Sequence, residues 1–247
     1  MMDIAPATLV TLGSPSGVAR EASERISECL RRAIAARGAA TLALSGGTTP
    51  RHTYELLAEA QDVVWSAVAL FWVDERAVPP TDVRSNYLMA FSALVARVGL
   101  DSRRVWRMQA ESPDIDGAAV EYARLLRSQV DADDEGFPAI DVVVLGVGID
   151  GHTASLFPGE STVEQREPLV ASVAASGVRE ARLTVTAPII EHARNVFVLV
   201  VGEEKRPALA RVFSAQGSAR ATPARIIRRC RGSVTWILDE EAARFNG

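Results

Sequence analysis

Cysteine is scarce in this 247-residue chain: Cys29 and Cys230 lie far apart and without C-x-x-C spacing. A disulfide framework and a thiol-rich metal centre are thereby excluded, and reduced thiols in a cytoplasmic setting are expected, one structural disulfide being the alternative. Aromatic residues make up 6% of the sequence and histidine occurs only three times, so each histidine can be weighed individually. No apolar run approaches the roughly 20 residues of a membrane span, and residues 1–6 lack the basic start and apolar core of a signal peptide. Excess positive charge is missing too. With 31 acidic and 27 basic residues the formal net charge is −4, and no long basic stripe offers a nucleic-acid face, although a local basic pocket for a small anion stays open.

What is present is alternation. Short apolar, β-rich runs at 41–45, 68–73, 141–145, 182–186, 195–201 and 233–238 are separated by stretches of helical period. Such alternation needs crossover connections and predicts an α/β fold, an open and mainly parallel sheet with helices on both faces. Between Val18 and Arg37, residues Ala22, Ile26, Leu30, Ala33 and Ile34 recur at helical steps, and Gly38 is the stop. A second helix is predicted to open with Thr49 as N-cap and Pro50 at the first helical position, and others at about 85–98, 113–130 and 203–213. The acidic piece 131–136 reads as a surface loop with nothing to bury, and the basic piece 220–231 as a solvated helix. One domain spanning 1–247 is expected.

Three segments carry chemistry. Ser45-Gly46-Gly47-Thr48-Thr49-Pro50 lies between a strand and a helix start, where backbone N–H groups and the helix dipole can cradle an anion such as phosphate; a plain tight βα turn is the alternative. Asp74-Glu75-Arg76 ends the second run, with Ser85-Asn86 opening a helix beyond it; either a structural ion pair or an acid–base and oxyanion role explains such charges. Residues 146–159, Gly-Val-Gly-Ile-Asp-Gly-His-Thr-Ala-Ser-Leu-Phe-Pro-Gly, put His152 in a glycine-rich turn just after a run suited to a buried parallel strand. Ligands of open α/β sheets bind at such strand ends. The turn also satisfies G-x-G-x-x-G. Dinucleotide binding is disfavoured, because Pro158-Gly159 interrupts the helix that should follow and no acidic residue ends the next strand at the required distance. Arg182 and Lys205 are candidate partners of an anion; His52 and His192 read as surface or capping residues. No zinc-ligand spacing, nucleophile elbow or P-loop lysine occurs, so neither a metal nor a cofactor is called for.

In this order the motifs resemble the 6-phosphogluconolactonase family: Ser45 to Pro50, Asp74-Glu75-Arg76 with Val78-Pro79 and Ser85-Asn86, Gly146 to Gly159, Arg182-Leu183-Thr184, and Lys205. The resemblance implies a Rossmann-like fold shared with glucosamine-6-phosphate deaminases, and metal-independent hydrolysis of 6-phospho-D-glucono-1,5-lactone in the oxidative pentose phosphate pathway. Two departures count against a deaminase: Arg76 stands where that family usually has tyrosine, and Phe157 where it carries a catalytic glutamate. On this reading His152 is general base and then acid, Asp150 orients it directly or through the loop, and Arg76 faces the carbonyl or the charge developing on it. Asp74 binds sugar hydroxyls, while Ser45, Gly46, Gly47, Thr48, Arg182 and Lys205 hold the phosphate. The expected partner is a phosphosugar lactone, with no nucleic acid or membrane, and the protein a monomer or small homo-oligomer. A sugar-phosphate sensor is the alternative of another class, but the residues ahead of Ser45 read as a strand and one helix, without a helix-turn-helix.

Overall fold

The computed structural model describes residues 7–246, so the reading of residues 1–6 lies outside it. Its elements are β1 (Thr8–Leu12), α1 (Pro15–Arg37), β2 (Ala40–Leu44), α2 (Thr48–Leu57), β3 (Val68–Trp72), β4 (Asp74–Arg76), α3 (Asn86–Ala90), α4 (Ala96–Val98), β5 (Val105–Trp106), α5 (Ile115–Gln129), β6 (Val142–Gly146), β7 (Val170–Val173), β8 (Arg182–Val185), α6 (Ala187–Glu191), β9 (Asn195–Val200), α7 (Arg206–Phe213), β10 (Ser233–Asp239) and α8 (Glu240–Ala243). A seven-stranded sheet runs β1-β10-β9-β6-β2-β3-β5 with every pair parallel.

The strand order reverses direction in the middle. From β2 the chain moves outward through β3 to β5; β6 then returns to the other side of β2, and β9 and β10 continue that way. A crevice opens where two such halves diverge, between the carboxyl ends of β2 and β6. Those ends carry Ser45 and Gly146. The strands are apolar on both faces (Val142 to Leu145 are fully or nearly fully buried), as a sheet covered by helices demands.

The amphipathic period of α1 is realised: Val18, Ala22, Ile26 and Leu30 are wholly buried, and α1 packs on α2, β2, β9 and β10. Truncating Leu30 to Ala would cost about 2–5 kcal/mol by the usual cavity relation. Ser14 caps this helix through a hydrogen bond from the Gly17 N–H, and Gly38 ends it.

Several expectations need correction. The run at Arg182 is not a parallel member of the main sheet: β8 pairs antiparallel with β4 and β7 in a separate three-stranded sheet. Thr49 is not the N-cap of α2; Gly47 is, and Pro50 takes the third helical position, which it tolerates because first-turn N–H groups have no intrahelical partner. Helix 85–98 is interrupted by a π-helical turn, Phe91–Val95. The basic segment is a 3-10 helix, Pro223–Arg229, with Ala224, Ile226 and Ile227 buried. Its Arg225 and Arg228 donate to the Ser214 carbonyl at 2.9 and 2.8 Å, covering the end of α7. The loop at 131–136 does bury something, for the Asp133 carboxylate meets the buried His192 ring at 2.5 Å. Both cysteines are free, and burial pushes the Cys230 thiol up to about 12.

Candidate active site

A pocket of about 450 Å³ occupies the crevice at the switch point, lined among others by Ser45 to Pro50, Asp74, Arg76, Asn86, Gly146 to Gly148, His152, Arg182 and Lys205. All the sequence-predicted site residues except Asp150 line it. A larger hollow of about 840 Å³ opens at the sheet edge beside β5, walled by Phe91, Trp106 and Tyr122. Volume does not locate the chemistry here, since the larger hollow lacks histidine and every motif residue above.

The histidine turn is fixed locally. Gly148 donates to the His152 carbonyl at 2.9 Å and Gly151 to the Gly148 carbonyl at 2.9 Å, while the Thr153 hydroxyl reaches back to the Gly146 carbonyl at 2.9 Å. Asp150 Oδ1 accepts from the His152 backbone at 3.1 Å and meets Nδ1 of the ring at 2.6 Å. Nε2 has no protein partner among the described residues, so it is the nitrogen available to a ligand. A methyl group on Gly148 would lie 2.1 Å from Nδ1, so the ring can sit there only because residue 148 has no side chain. Burial works against ionisation of Asp150, yet the hydrogen bonds from His152 hold its carboxyl at about 2. Asp150 therefore stays an anion that fixes the Nδ1–H tautomer.

Beside the imidazole lies a cationic wall. Asp74 is buried and accepts from the Ser155 hydroxyl at 2.6 Å and from Asn86 Nδ2 at 3.1 Å, with Arg182 Nη1 at 3.6 Å. Arg76 donates to Asn86 Oδ1 at 2.8 Å and to the Arg84 carbonyl. Arg182 stands opposite Arg76 on the β4–β8 ladder; burial pulls its guanidinium below the ordinary value, with Asp74 opposing. Its immediate neighbours are thus Asp74, Ser155 and Arg76, although it lines the same pocket as Lys205.

Glu75 is buried behind the wall, not in it. Its carboxylate accepts from the backbones of Arg76, Asn86 and Tyr87 at 2.7, 2.8 and 2.7 Å and from the Ser85 hydroxyl at 2.8 Å. Of the adjacent pair, Asp74 is consequently the one a ligand can reach. Asn86, which sequence reasoning noted but did not place in the site, joins Arg76 to Asp74. A Cβ on Gly46 would fall 1.9 Å from its Oδ1, so the glycine of the first motif makes room for the asparagine of the second. That coupling has no local signature.

The first motif offers anion contacts. The Ser45 backbone N–H donates to the buried Tyr54 hydroxyl at 2.9 Å, which donates in turn to the Ser45 carbonyl at 3.1 Å, so the turn is rigid. The Ser45 hydroxyl itself is buried without a partner, and Gly47 provides no side-chain cap for α2. Thr48 and Thr49, the two residues that open that helix and carry its uncapped N–H groups, line the pocket, an arrangement suited to an anion. Gly202, Glu204 and Lys205, after β9, line the same pocket. Among the described residues no group of three His, Cys, Asp or Glu side chains is placed to hold a metal ion, and no helix is long and apolar enough to cross a membrane.

An α/β sheet with a polar crevice at its switch point, three cations, a helix N-terminus and a His–Asp pair defines a protein class built around a small anionic ligand. The family is identifiable as well. A family model described as glucosamine-6-phosphate isomerases/6-phosphogluconolactonase matches residues 13–236, and the chain belongs to that family. It is 38% identical over 213 residues to a 6-phosphogluconolactonase of Nostoc, covering 86% of this chain and 87% of that one. With a 6-phosphogluconolactonase of Streptomyces coelicolor it shares 36% over 235 residues, covering 92% and 89%. The solved 6-phosphogluconolactonase of Trypanosoma brucei superposes with a TM-score of 0.85 at 28% identity, covering 96% of this chain and 98% of that one. A monomeric glucosamine-6-phosphate deaminase, at 19% identity and a TM-score of 0.82, shares the fold.

Proposed function

We propose that this chain hydrolyses 6-phospho-D-glucono-1,5-lactone to 6-phospho-D-gluconate, with His152 as the proton-transfer residue. Family membership supports the reaction class. The observation that carries the residue assignment is the imidazole itself, with Nδ1 held by Asp150 at 2.6 Å and Nε2 free in a pocket that also contains Arg76, Arg182 and Lys205.

Hydrolysis needs an activated water, a stabilised tetrahedral oxyanion and a proton for the departing ring oxygen. His152 Nε2 takes a proton from water as its oxygen attacks the lactone carbonyl carbon. The ring C–O bond then breaks, and the same nitrogen returns the proton to the ring oxygen. The new carboxyl group ionises, so one proton is released per turnover at neutral pH. Asp150 stabilises the transient imidazolium. Arg76 and Arg182, side by side on the ladder, face the developing oxyanion, and Asp74 accepts from sugar hydroxyls. Ser45 to Thr48 and Lys205 hold the 6-phosphate, and this anchoring brings the carbonyl to the imidazole. Arg182 is thereby reassigned from the phosphate to the carbonyl end, on the strength of its contact with Asp74. The neighbour of His152 is the phenyl ring of Phe157 at 4.7 Å, which cannot relay a proton, and that disfavours deamination. On the same reading the enzyme works in the cytoplasm without a metal, as a monomer or small homo-oligomer, with no nucleic-acid partner.

The test follows acid release from freshly prepared lactone above its spontaneous hydrolysis, in parallel with ammonia release from glucosamine 6-phosphate. Acid release alone supports the proposal; ammonia release alone overturns it in favour of deamination, and neither, with binding of a sugar phosphate retained, in favour of a sensor.

A further inference from the structure

We infer that Phe157 and Arg179 form a brace that sets the direction of the His152 imidazole, so that both are positioning residues for the reaction proposed above. The inference rests on that reading only for its kinetic arm.

Asp150 holds the ring at one nitrogen, and a ring held at a single point can still swing about that contact. Gly148 limits that swing on one side only, where the ring lies against it. A second contact is needed to aim Nε2 into the pocket, and Phe157 supplies it: the two ring centroids lie 4.7 Å apart with the planes at 44°, within the range of favourable aromatic pairs. Phe157 is buried and held in its turn, since the Arg179 guanidinium carbon lies 3.9 Å from its ring centroid. Arg179 is fixed at its far end by the Glu160 carboxylate and by the Ala174 carbonyl at 3.3 Å. Glu160 donates its backbone N–H to the Phe157 carbonyl at 3.2 Å, and the backbones of Ser176 and Arg179 are paired in a tight turn at 3.0 Å. The brace therefore closes on itself, from Phe157 through Glu160 and Arg179 back to the Phe157 ring.

Neither Phe157 nor Arg179 belongs to the pocket wall, so their effect on a ligand passes through residues that do: His152 beside the Phe157 ring, and Arg182, whose guanidinium carbon lies 5.8 Å from the same ring. The turn before β8 belongs to the small antiparallel sheet, so that sheet steadies the proton-transfer residue of the large one.

The experiment compares the wild type with Phe157→Leu, Arg179→Ala and the double variant, using kinetics on the lactone and side-chain NMR of the His152 ring nitrogens. A misaimed base is expected to lower kcat by about tenfold, within the penalty for small misplacements, while KM stays within about twofold because ground-state binding is untouched. The double variant should fall no further than the worse single one, as for neighbours acting in series. The wild-type imidazole should give one Nδ1–H form, and both single variants should show averaged signals. A rise in KM at constant kcat would overturn the brace and make Arg179 a ligand contact; additive losses, or an unchanged imidazole spectrum, would overturn it as well. Phe157→Leu keeps apolar volume, and melting curves check folding; if it does not fold, the partly exposed Arg179→Ala carries the test. A wild type without lactone hydrolysis defeats the proposed function, and the ring spectrum then decides the brace alone.

Discussion

The molecule contains two histidine–aspartate pairs of nearly the same build. His152 Nδ1 meets Asp150 at 2.6 Å beside the ring of Phe157, and His192 Nδ1 meets Asp133 at 2.5 Å while stacked on Phe137 at 4.1 Å. They differ in access. The His152 side chain is 33% exposed and that of His192 only 3%; the first lines the crevice beyond β6, whereas the second ends α6 and fastens the acidic loop. A paired, stacked imidazole is thus no sign of catalysis by itself. It becomes one where a free nitrogen faces a pocket of opposite charge to the ligand.

Removing each ring in turn is the sharpest way to break this contrast. His152→Ala should lower kcat by about two to four orders of magnitude with little change in melting temperature; near-normal turnover would sink the assignment. Gly148→Ala forces the imidazole aside and should reduce kcat by about 10²-fold, read against an unchanged circular dichroism spectrum. Lys205→Ala should raise KM by about tenfold or more through loss of a charge-assisted phosphate contact, and it should leave hydrolysis of a lactone without phosphate unaltered. His192→Ala should leave kcat near wild type and destabilise by about 1–3 kcal/mol, the range for unpairing a buried polar group, measured by urea unfolding. A comparable loss of activity in His192→Ala would abolish the distinction between the pairs.

The smallest effect concerns pH. Asp150 titrates at about 2 in the folded chain against an ordinary 3.8, and Asp133 is also lowered, burial opposing and His192 prevailing. A depressed carboxyl contributes stability that is fully present above its unfolded value and disappears as pH falls through its folded value. Asp150→Asn should therefore be less stable than wild type at pH 7, and the two should converge toward pH 2 in acid-unfolding curves. A gap that widens on acidification would contradict the sign.

The elements were readable because each is encoded in a short window. The helical recurrence from Val18 to Arg37, the β-branched run before Gly146 and the helix opening at Ser85-Asn86 all specify local backbone states. The π-helical turn and the placement of Pro50 escaped, since both satisfy the same apolar pattern as the simpler alternative. The part of the site that escaped is the part made by distant residues. Glu75 could not be told from Asp74 by sequence, as adjacent residues on a strand point to opposite sides; only the packing of α3 shows which one its N-terminus uses. Asn86 is polar at a helix start, a signal for capping that says nothing of its bridge from Arg76 to Asp74. His192 and Asp133 lie far apart in sequence, and neither belongs to a recognisable motif.

The sequence by itself determined the strand ends and the glycine turns that follow them, and it put Asp150 two residues before His152 in one tight turn, close enough for local geometry to join them; the direct contact at 2.6 Å is the structure's. It also determined the family, through motifs carried on those turns. Only the tertiary structure decided that β2 and β6 are neighbours at the reversal of strand order, that Arg182 stands on an antiparallel rung beside Arg76, and that one histidine faces a pocket while its twin is sealed in. Those outcomes depend on which strands pair and which helices cover them, and such contacts join residues that no local window contains.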